Sequence, residues 1–388
     1  MKIGIDKIHF FTPNIYVDLV ELANARGIDP NKFTIGIGQD QMALSPLTQD
    51  CYSMGANAAL PIVSKEDAEK IDLIVFGTES GLDASKSGAV IVQRLLGIQP
   101  FTRSIEVKQA CYGATAGIMM ARDYIEKHPD RKALVIGSDI ARYGLATGGE
   151  VTQGAGAIAM VISQNPAIMT IDEVSVPYSE DIFDFWRPTY SDVAFVDGQF
   201  SNQKYIAFFD TVWEEYKKRT GKTIADFKAL CFHMPYTKMG RKALNTILDE
   251  ADEEKQQSLI HFYDQSAIYT RRIGNLYTGS LYLGFLSLLN HTFNELKAND
   301  LIGMFSYGSG AVGEFFTGHL VEGFEKALHP EEIQTMLDQR HRLSVPEYET
   351  LFNERWTTEG NASYQYEFDH APFYLDRIED HKRIYERR

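Results

Sequence analysis

Three reactive side chains stand where apolar, strand-like runs turn polar: Glu79 in GTES, Cys111 in KQACYGATAG and His233 in CFHMP. A thiol, a carboxylate and an imidazole together are the groups of covalent catalysis with separate acid and base. Cys111 is the nucleophile candidate. It is followed by the small residues Gly113, Ala114, Ala116 and Gly117 and then by the apolar run IMMA, so it reads as a strand-to-helix junction. Unpaired backbone N–H groups at a helix start favour a thiolate, and small neighbours let a large substrate reach the sulfur. Taken singly, each residue also has an ordinary structural reading. Cys111 can pack as a small hydrophobe, Glu79 can cap the next helix, and His233 can be a buried, satisfied histidine. Their shared position at strand ends favours chemistry, because ligands of layered α/β folds gather at the carboxyl ends of strands.

A basic cluster, Lys238, Arg241 and Lys242, follows His233. Positions 238 and 242 share one helical face. In a chain of net charge −15 such a cluster suits phosphates, or is a solvated face and nothing more. The glycine-rich pieces GGEVTQGAGA and SYGSGAVG match neither GxGxxG between a strand and a helix nor GK[ST], so phosphate-loop and dinucleotide readings are rejected. They read instead as turns where backbone approaches closely. The histidines are dispersed, without HExxH or a Cys/His pair at zinc spacing, and no metal is expected.

The elements that must hold these residues are β-rich segments alternating with helical ones. MKIGIDKIHFF, IDLIVFG, RSIEV, RKALVIGSDIA and GAGAIAMVIS read as strands, and SKSGAVIVQRLLG and the segment after Cys111 as helices. The theme returns with the strand FKALCF, the helix TKMGRKALNTIL, and GNLYTGSLYLGFLSLLN, which has the layout of the Cys111 segment. DLIGMFSYGSGAVGEFFTGHL parallels the GAGA strand. This order predicts a layered α/β fold of two related halves, 1–165 and 166–388, with EDIFDFWRPTY…FVDGQFSNQKY inserted between their cores. The aromatic and polar alternation of NASYQYEFDHAPFYLDRI predicts strands near the C-terminus.

Composition narrows the function classes. No apolar run approaches the roughly 18 residues of a membrane span, and the N-terminus has no signal architecture. Cys51, Cys111 and Cys231 are too few and scattered for a disulfide scaffold, which favours a reducing cytoplasm. The acidic balance argues against nucleic acid and anionic membrane as partners.

Over nearly its full length the sequence resembles the 3-hydroxy-3-methylglutaryl-CoA synthase family in its shorter bacterial form. GTESGLDASKS, KQACYGATAG, SDIARYG with TQGAGAIAM, DFWRP, VDGQFS, CFHMPYTKMGRKA, GNLYTGSLY and FSYGSG carry the resemblance. Two departures lie beside the nucleophile: Gln109 stands where related proteins often carry an acidic residue, and Ala114 where many have glycine. The resemblance implies a thiolase-like fold of five α/β/α/β/α layers, normally dimeric, with no organic cofactor or metal. It implies condensation of acetyl-CoA with acetoacetyl-CoA and water to give HMG-CoA and CoA, in mevalonate and isoprenoid biosynthesis.

By the same resemblance, Cys111 carries the acetyl group and Glu79 deprotonates its methyl. His233 binds the ketone oxygen of acetoacetyl-CoA and supplies a proton. Asn275 and Ser306 are expected to position acyl oxygens, and Thr152 and Ser201 to line the acyl and pantetheine path. Lys238 and Lys242 are expected to meet CoA, Asp29 to lie near its adenine end, and Tyr143 and Asp184 to stand behind the reacting groups. The alternative within the fold is a condensing enzyme like ketoacyl synthase III, which shares the Cys, His and Asn but obtains its carbanion by decarboxylation and has no need of Glu79. A thiolase would use a second cysteine near the C-terminus, and none follows Cys231. A catalytically dead CoA-thioester binder would not be expected to keep all three reactive residues.

Overall fold

In the computed structural model, which describes residues 2–388, the apolar runs that end at Glu79 and His233 are strands buried on both faces. Nine strands form one mixed sheet. In chain order they are β1 (Ile3–Phe11), β2 (Ile71–Gly77), β3 (Arg103–Val107), β4 (Lys132–Ala141) and β5 (Gly154–Gln164). They continue with β6 (Met169–Ser179), β7 (Ala229–Phe232), β8 (Leu301–Gly308) and β9 (Val312–Leu320). Across the sheet they run β7-β8-β9-β6-β1-β5-β4-β2-β3. The join between β1 and β6 is short, pairing only Gly4 with Thr170 and Ile5 with Met169. On either side of it the order repeats: β1-β5-β4-β2 in the first half and β6-β9-β8-β7 in the second, with β3 added at the open edge.

That repeat places β2 and β7 in equivalent positions. Glu79 and His233, one or two residues beyond these strands, therefore arrive at corresponding points of the two halves.

Among the helices that cover the sheet are α1 (Cys51–Ala59), α2 (Gly88–Leu95), α3 (Gly113–Lys127), α4 (Gly198–Thr220), α5 (Thr237–Asn245) and α6 (Ser280–Thr292). Strand residues alternate between two cores, as the period-two geometry of a strand requires. Ile74 and Phe76 pack outward with Met54 of α1 and Val92 of α2. Leu73 and Val75 pack inward with Ile118 of α3 and Leu283 of α6. In the second half Ala229 and Cys231 face this same central core, while Leu230 and Phe232 face Phe209 and Trp213 of α4 and Met239 of α5. The result is helix, sheet, helix, sheet, helix. Helix α6 lies in the middle layer and is buried nearly all round, which accounts for its almost unbroken apolar sequence.

Three expectations need correction. DLIGMFSYGSGAVGEFFTGHL is not one strand: it folds as the antiparallel pair β8 and β9, because the turn at 309–311 reverses the chain. VDGQFSNQKY is not an insert but leads into the 23-residue α4, capped by Asp197, whose side chain accepts from the Phe200 N–H. The inserted hairpin ends earlier, where Phe185–Trp186 pairs with Phe195–Val196. Finally, β6 had no counterpart among the expected strands, since its outer residues are too polar to show a buried run. Near the C-terminus Ala362–Ser363, Phe373–Glu379 and Lys382–Arg387 do form a small sheet.

Candidate active site

Cys111 lies two residues before the first residue of α3 rather than inside its first turn. The preceding Ala110 has φ +42°, a left-handed conformation that costs a non-glycine residue about 1 kcal/mol or more. Two glycines let the other elements close on this turn. A Cβ on Gly77, at the end of β2, would fall 2.6 Å from the Ala114 nitrogen, and one on Gly308, at the end of β8, 2.5 Å from the Gln109 carbonyl oxygen. Both halves of the fold thus press against the turn that carries Cys111.

The Cys111 thiol donates to Glu79 Oε1 at 3.2 Å. Glu79 is itself held by a buried carboxylate that sequence reasoning did not single out. Asp139 Oδ1 accepts from the Glu79 N–H at 2.9 Å, Thr78 Oγ1 at 2.9 Å and Ser80 Oγ at 2.8 Å. Its Oδ2 accepts from the Thr278 N–H at 3.1 Å and from Thr278 Oγ1 at 2.5 Å. Asp139 therefore ties the Glu79 loop of one half to the loop entering α6 of the other. The available signal was a single acid inside the apolar strand KALVIGSDIA, since a buried charge needs partners. Arg187, from DFWRP in the inserted hairpin, donates to the Glu79 carbonyl.

The electrostatics bring the titration of Glu79 close to neutrality. Burial first, and Asp139 second, push its carboxyl up to about 8, against the opposing pull of the Cys111 hydrogen bond and Arg187. The thiol does not behave as its helix-start position suggested. Burial, Glu79 and the carboxylates of Asp139 and Asp184 hold Cys111 well above the usual thiol range. Desolvation and negative neighbours outweigh the helix end, so the resting sulfur is a thiol, hydrogen-bonded to the Glu79 carboxyl group.

Asn275 is fully buried. Its Nδ2 donates to Tyr143 Oη at 3.2 Å, and its Oδ1 accepts from the Tyr277 N–H and from Ser280 Oγ at 2.8 and 2.9 Å. Tyr143 and Tyr277 stand edge to face and both meet Phe185 of the hairpin. Thr152 joins this group through its carbonyl, which accepts from the Asn275 N–H at 3.3 Å. Asp184 accepts from Ser201 Oγ, Tyr307 Oη and the Gly310 N–H at 3.2, 2.8 and 2.8 Å, which brings Ser201 to the other flank. Ser306 points elsewhere. Its hydroxyl accepts from Thr115 Oγ1 at 2.8 Å beneath the start of α3, among groups of the middle layer.

His233 is 2% exposed and its Nδ1 has no hydrogen-bond partner. Burial lowers its pKa to about 3, so the ring is neutral through the ordinary pH range. The main chain fixes its place: the His233 N–H donates to the Phe305 carbonyl at 2.8 Å, and its carbonyl accepts from Tyr205 Oη at 2.6 Å. Cys231, two residues earlier, is packed into the central core. Lys238 and Lys242 are exposed on α5. The Lys242 ammonium donates to Tyr236 Oη at 2.9 Å, while the Lys238 stem lies over Gly38. Gly38 ends the helical turn Lys32–Ile37, which brings Lys238 to that segment, and exposed Asp29 lies just before it in the chain.

Comparison with known proteins accords with this geometry. The family model for the N-terminal part of hydroxymethylglutaryl-coenzyme A synthase matches residues 1–167, and that for the C-terminal part matches 169–263 and 254–388. A hydroxymethylglutaryl-CoA synthase from Enterococcus faecalis is 54% identical over 92% of this chain and 94% of its own. A 3-hydroxy-3-methylglutaryl-ACP synthase of polyketide biosynthesis from Bacillus subtilis is 30% identical over 98% of this chain and 96% of its own. Among solved structures, an HMG-CoA synthase complexed with CoA superposes with TM-score 0.97 at 45% identity, covering 100% of both chains. MvaS in complex with 3-hydroxy-3-methylglutaryl coenzyme A superposes with TM-score 0.89 at 34% identity, over 100% of this chain and 99% of the other.

Proposed function

The chain belongs to the hydroxymethylglutaryl-CoA synthase family, and from that premise we propose that it condenses acetyl-CoA, acetoacetyl-CoA and water to HMG-CoA and CoA through an acetyl group on Cys111. The observation that carries this reading is the Cys111 thiol donating to Glu79 at 3.2 Å, nucleophile and base in direct contact.

The thiol proton passes to Glu79 as the sulfur attacks the acetyl thioester, and leaves on the departing CoA thiol. Glu79, ionised again, then takes a proton from the acetyl methyl group. Its raised pKa matters here, because a base near 8 accepts a carbon-bound proton better than an ordinary carboxylate would. The enolate carbon attacks the ketone of acetoacetyl-CoA. His233, held neutral, donates a hydrogen bond to the ketone oxygen and orients it. A neutral imidazole is a poor proton source, so the alkoxide takes its proton from Glu79, which is carrying the one removed from the methyl. Water then cleaves the Cys111 thioester: Glu79, ionised once more, takes a proton from the water and passes it to the departing sulfur, releasing the product acid and restoring the thiol. Each proton in this sequence has a side chain to receive it, and no cofactor or metal is called upon.

Glu79 and Cys111 come from a first half, 1–165, and His233 and Asn275 from a second, 166–388. Asn275, Thr152 and Ser201 line the acyl and pantetheine path, and Ser306 supports it from below. Lys238 and Lys242 meet the CoA phosphates, with Asp29 toward the adenine. Two chains pair through β3, whose edge is open and whose flank exposes Ile105 at 40% and Phe101 at 89%. The three cysteines are free, which suits the cytoplasm, and no described helix is long and apolar enough to cross a membrane. The deciding experiment supplies acetyl-CoA and acetoacetyl-CoA and identifies the product by mass spectrometry. HMG-CoA with one equivalent of CoA supports the reading; unchanged substrates, or turnover of acetyl-CoA with a malonyl thioester alone, overturns it.

A further inference from the structure

Beneath the nucleophile turn lies a buried carboxylate that the reaction described above does not use. Glu314, on β9, is 2% exposed. Its Oε2 accepts from Tyr112 Oη at 2.5 Å. Tyr112 is the residue after Cys111 and the cap of α3. One turn further along the same helix face, Thr115 bonds Ser306 at 2.8 Å and Tyr282 at 2.6 Å. Ser306 and Glu314 are direct cross-strand partners on β8 and β9. Before the cysteine, Gln109 Nε2 donates to the Ser309 carbonyl at 3.2 Å. An acidic side chain at 109 could not make that bond, so the amide at this position has a structural consequence.

These contacts all run from the second half of the chain to residues on either side of Cys111. The left-handed Ala110 gives them a task, because a strained non-glycine turn persists only where its surroundings over-determine it. We infer that Glu314 is a positioning residue for the acyl-transfer step, acting through Tyr112 to hold Cys111 against Glu79. This deepens the function proposed above and rests on it. With the Tyr112–Glu314 bond gone, the turn relaxes and the sulfur moves off its carboxylate. Two opposite effects follow. Acetyl transfer slows, because a displacement of about 1 Å at a reacting atom costs on the order of 100-fold. Yet the free thiol ionises more readily, because Glu79, with Asp139 and Asp184 behind it, is what raises it after burial. Unfolding would also lower the thiol, by ending its burial, so both effects are read on protein shown to be folded by circular dichroism.

The test compares the parent with Glu314→Gln, Tyr112→Phe and the double variant. Acetylation of Cys111 by acetyl-CoA is followed by intact mass, and alkylation of Cys111 by iodoacetamide is followed across pH. The expected result is acetylation slowed at least about tenfold per folded molecule in each single variant, with KM for acetyl-CoA little changed and no greater loss in the double variant. The alkylation midpoint should fall by about one pH unit. Acetylation at the parental rate, losses that multiply, or an unmoved alkylation midpoint overturns the inference. Should Glu314→Gln not fold, Tyr112→Phe decides by the same criteria, since it removes only a hydroxyl. A parent that is never acetylated would sink the proposed function, and the alkylation midpoints would still judge the positioning role.

Discussion

Glu79→Gln should make this protein more stable near neutral pH while abolishing its condensation. The reason is that the site holds a carboxyl where a carboxylate is penalised. In the folded chain Glu79 titrates at about 8 against an ordinary value of 4.5. A raised carboxyl pKa means that the folded state binds the proton more tightly than the unfolded state. Stability is therefore fully present below the unfolded value and declines as pH rises toward the folded one, by up to about 1.4 kcal/mol per pH unit. From pH 4.5 to near 7 the decline comes to about 3 kcal/mol. Glutamine keeps an oxygen to accept the Cys111 thiol but cannot ionise, so the variant escapes that decline. Urea unfolding of both proteins, followed by circular dichroism near pH 5 and near pH 7, measures it. The variant should gain about 3 kcal/mol on the parent near pH 7 and less than about 1 kcal/mol near pH 5. Parallel stability profiles would refute the reasoning, because they would mean that Glu79 is not desolvated and its base strength needs another explanation.

Other outcomes follow from the same geometry. Glu79→Ala should still accept an acetyl group on Cys111, more slowly because the group that takes the thiol proton is gone, but it should form no HMG-CoA; normal product formation would rule out Glu79 as the carbon base. In the parent, condensation measured by single turnover should rise with pH through a limb near 8, as Glu79 ionises, with no limb near 6.5 because His233 is already neutral there. A limb near 6.5 that disappears in His233→Gln would contradict the neutral-imidazole role. His233→Ala should raise KM for acetoacetyl-CoA and leave acetylation intact; impaired acetylation with normal acetoacetyl-CoA use would reverse its assignment. Gly308→Ala should slow acetylation by on the order of 100-fold in a folded protein, because its new methyl would collide with Gln109 and Tyr112 around the nucleophile.

The strand ends were legible because their physics is local. A run such as IDLIVFG buries both faces, so it shows as unbroken apolar sequence, and the polar residues after it mark where the strand meets a cleft. The likeness between the α3 and α6 segments was legible for the same reason. What stayed hidden was everything made by contacts distant in sequence. β6 is half polar and the hairpin of 185–196 has little apolar pattern, so neither announced itself. Asp139 looked like one more residue of a motif until Thr278, from the other half, closed on it. Ser306 was expected to face the acyl group, but strand parity turns its hydroxyl toward Thr115.

By itself, then, the sequence determined which groups this protein has for chemistry and the layered, twofold architecture that carries them, since residue type and hydrophobic period are properties of the chain. The protonation of those groups was decided only by tertiary structure. Cys111 at a helix start reads as a thiolate, yet in the folded chain it is a thiol, because burial and the carboxylates gathered from distant segments outweigh the helix end. Glu79 reads as an ordinary acid and titrates near 8 for the same reason: solvent exclusion and neighbouring charge exist only once the two halves have closed.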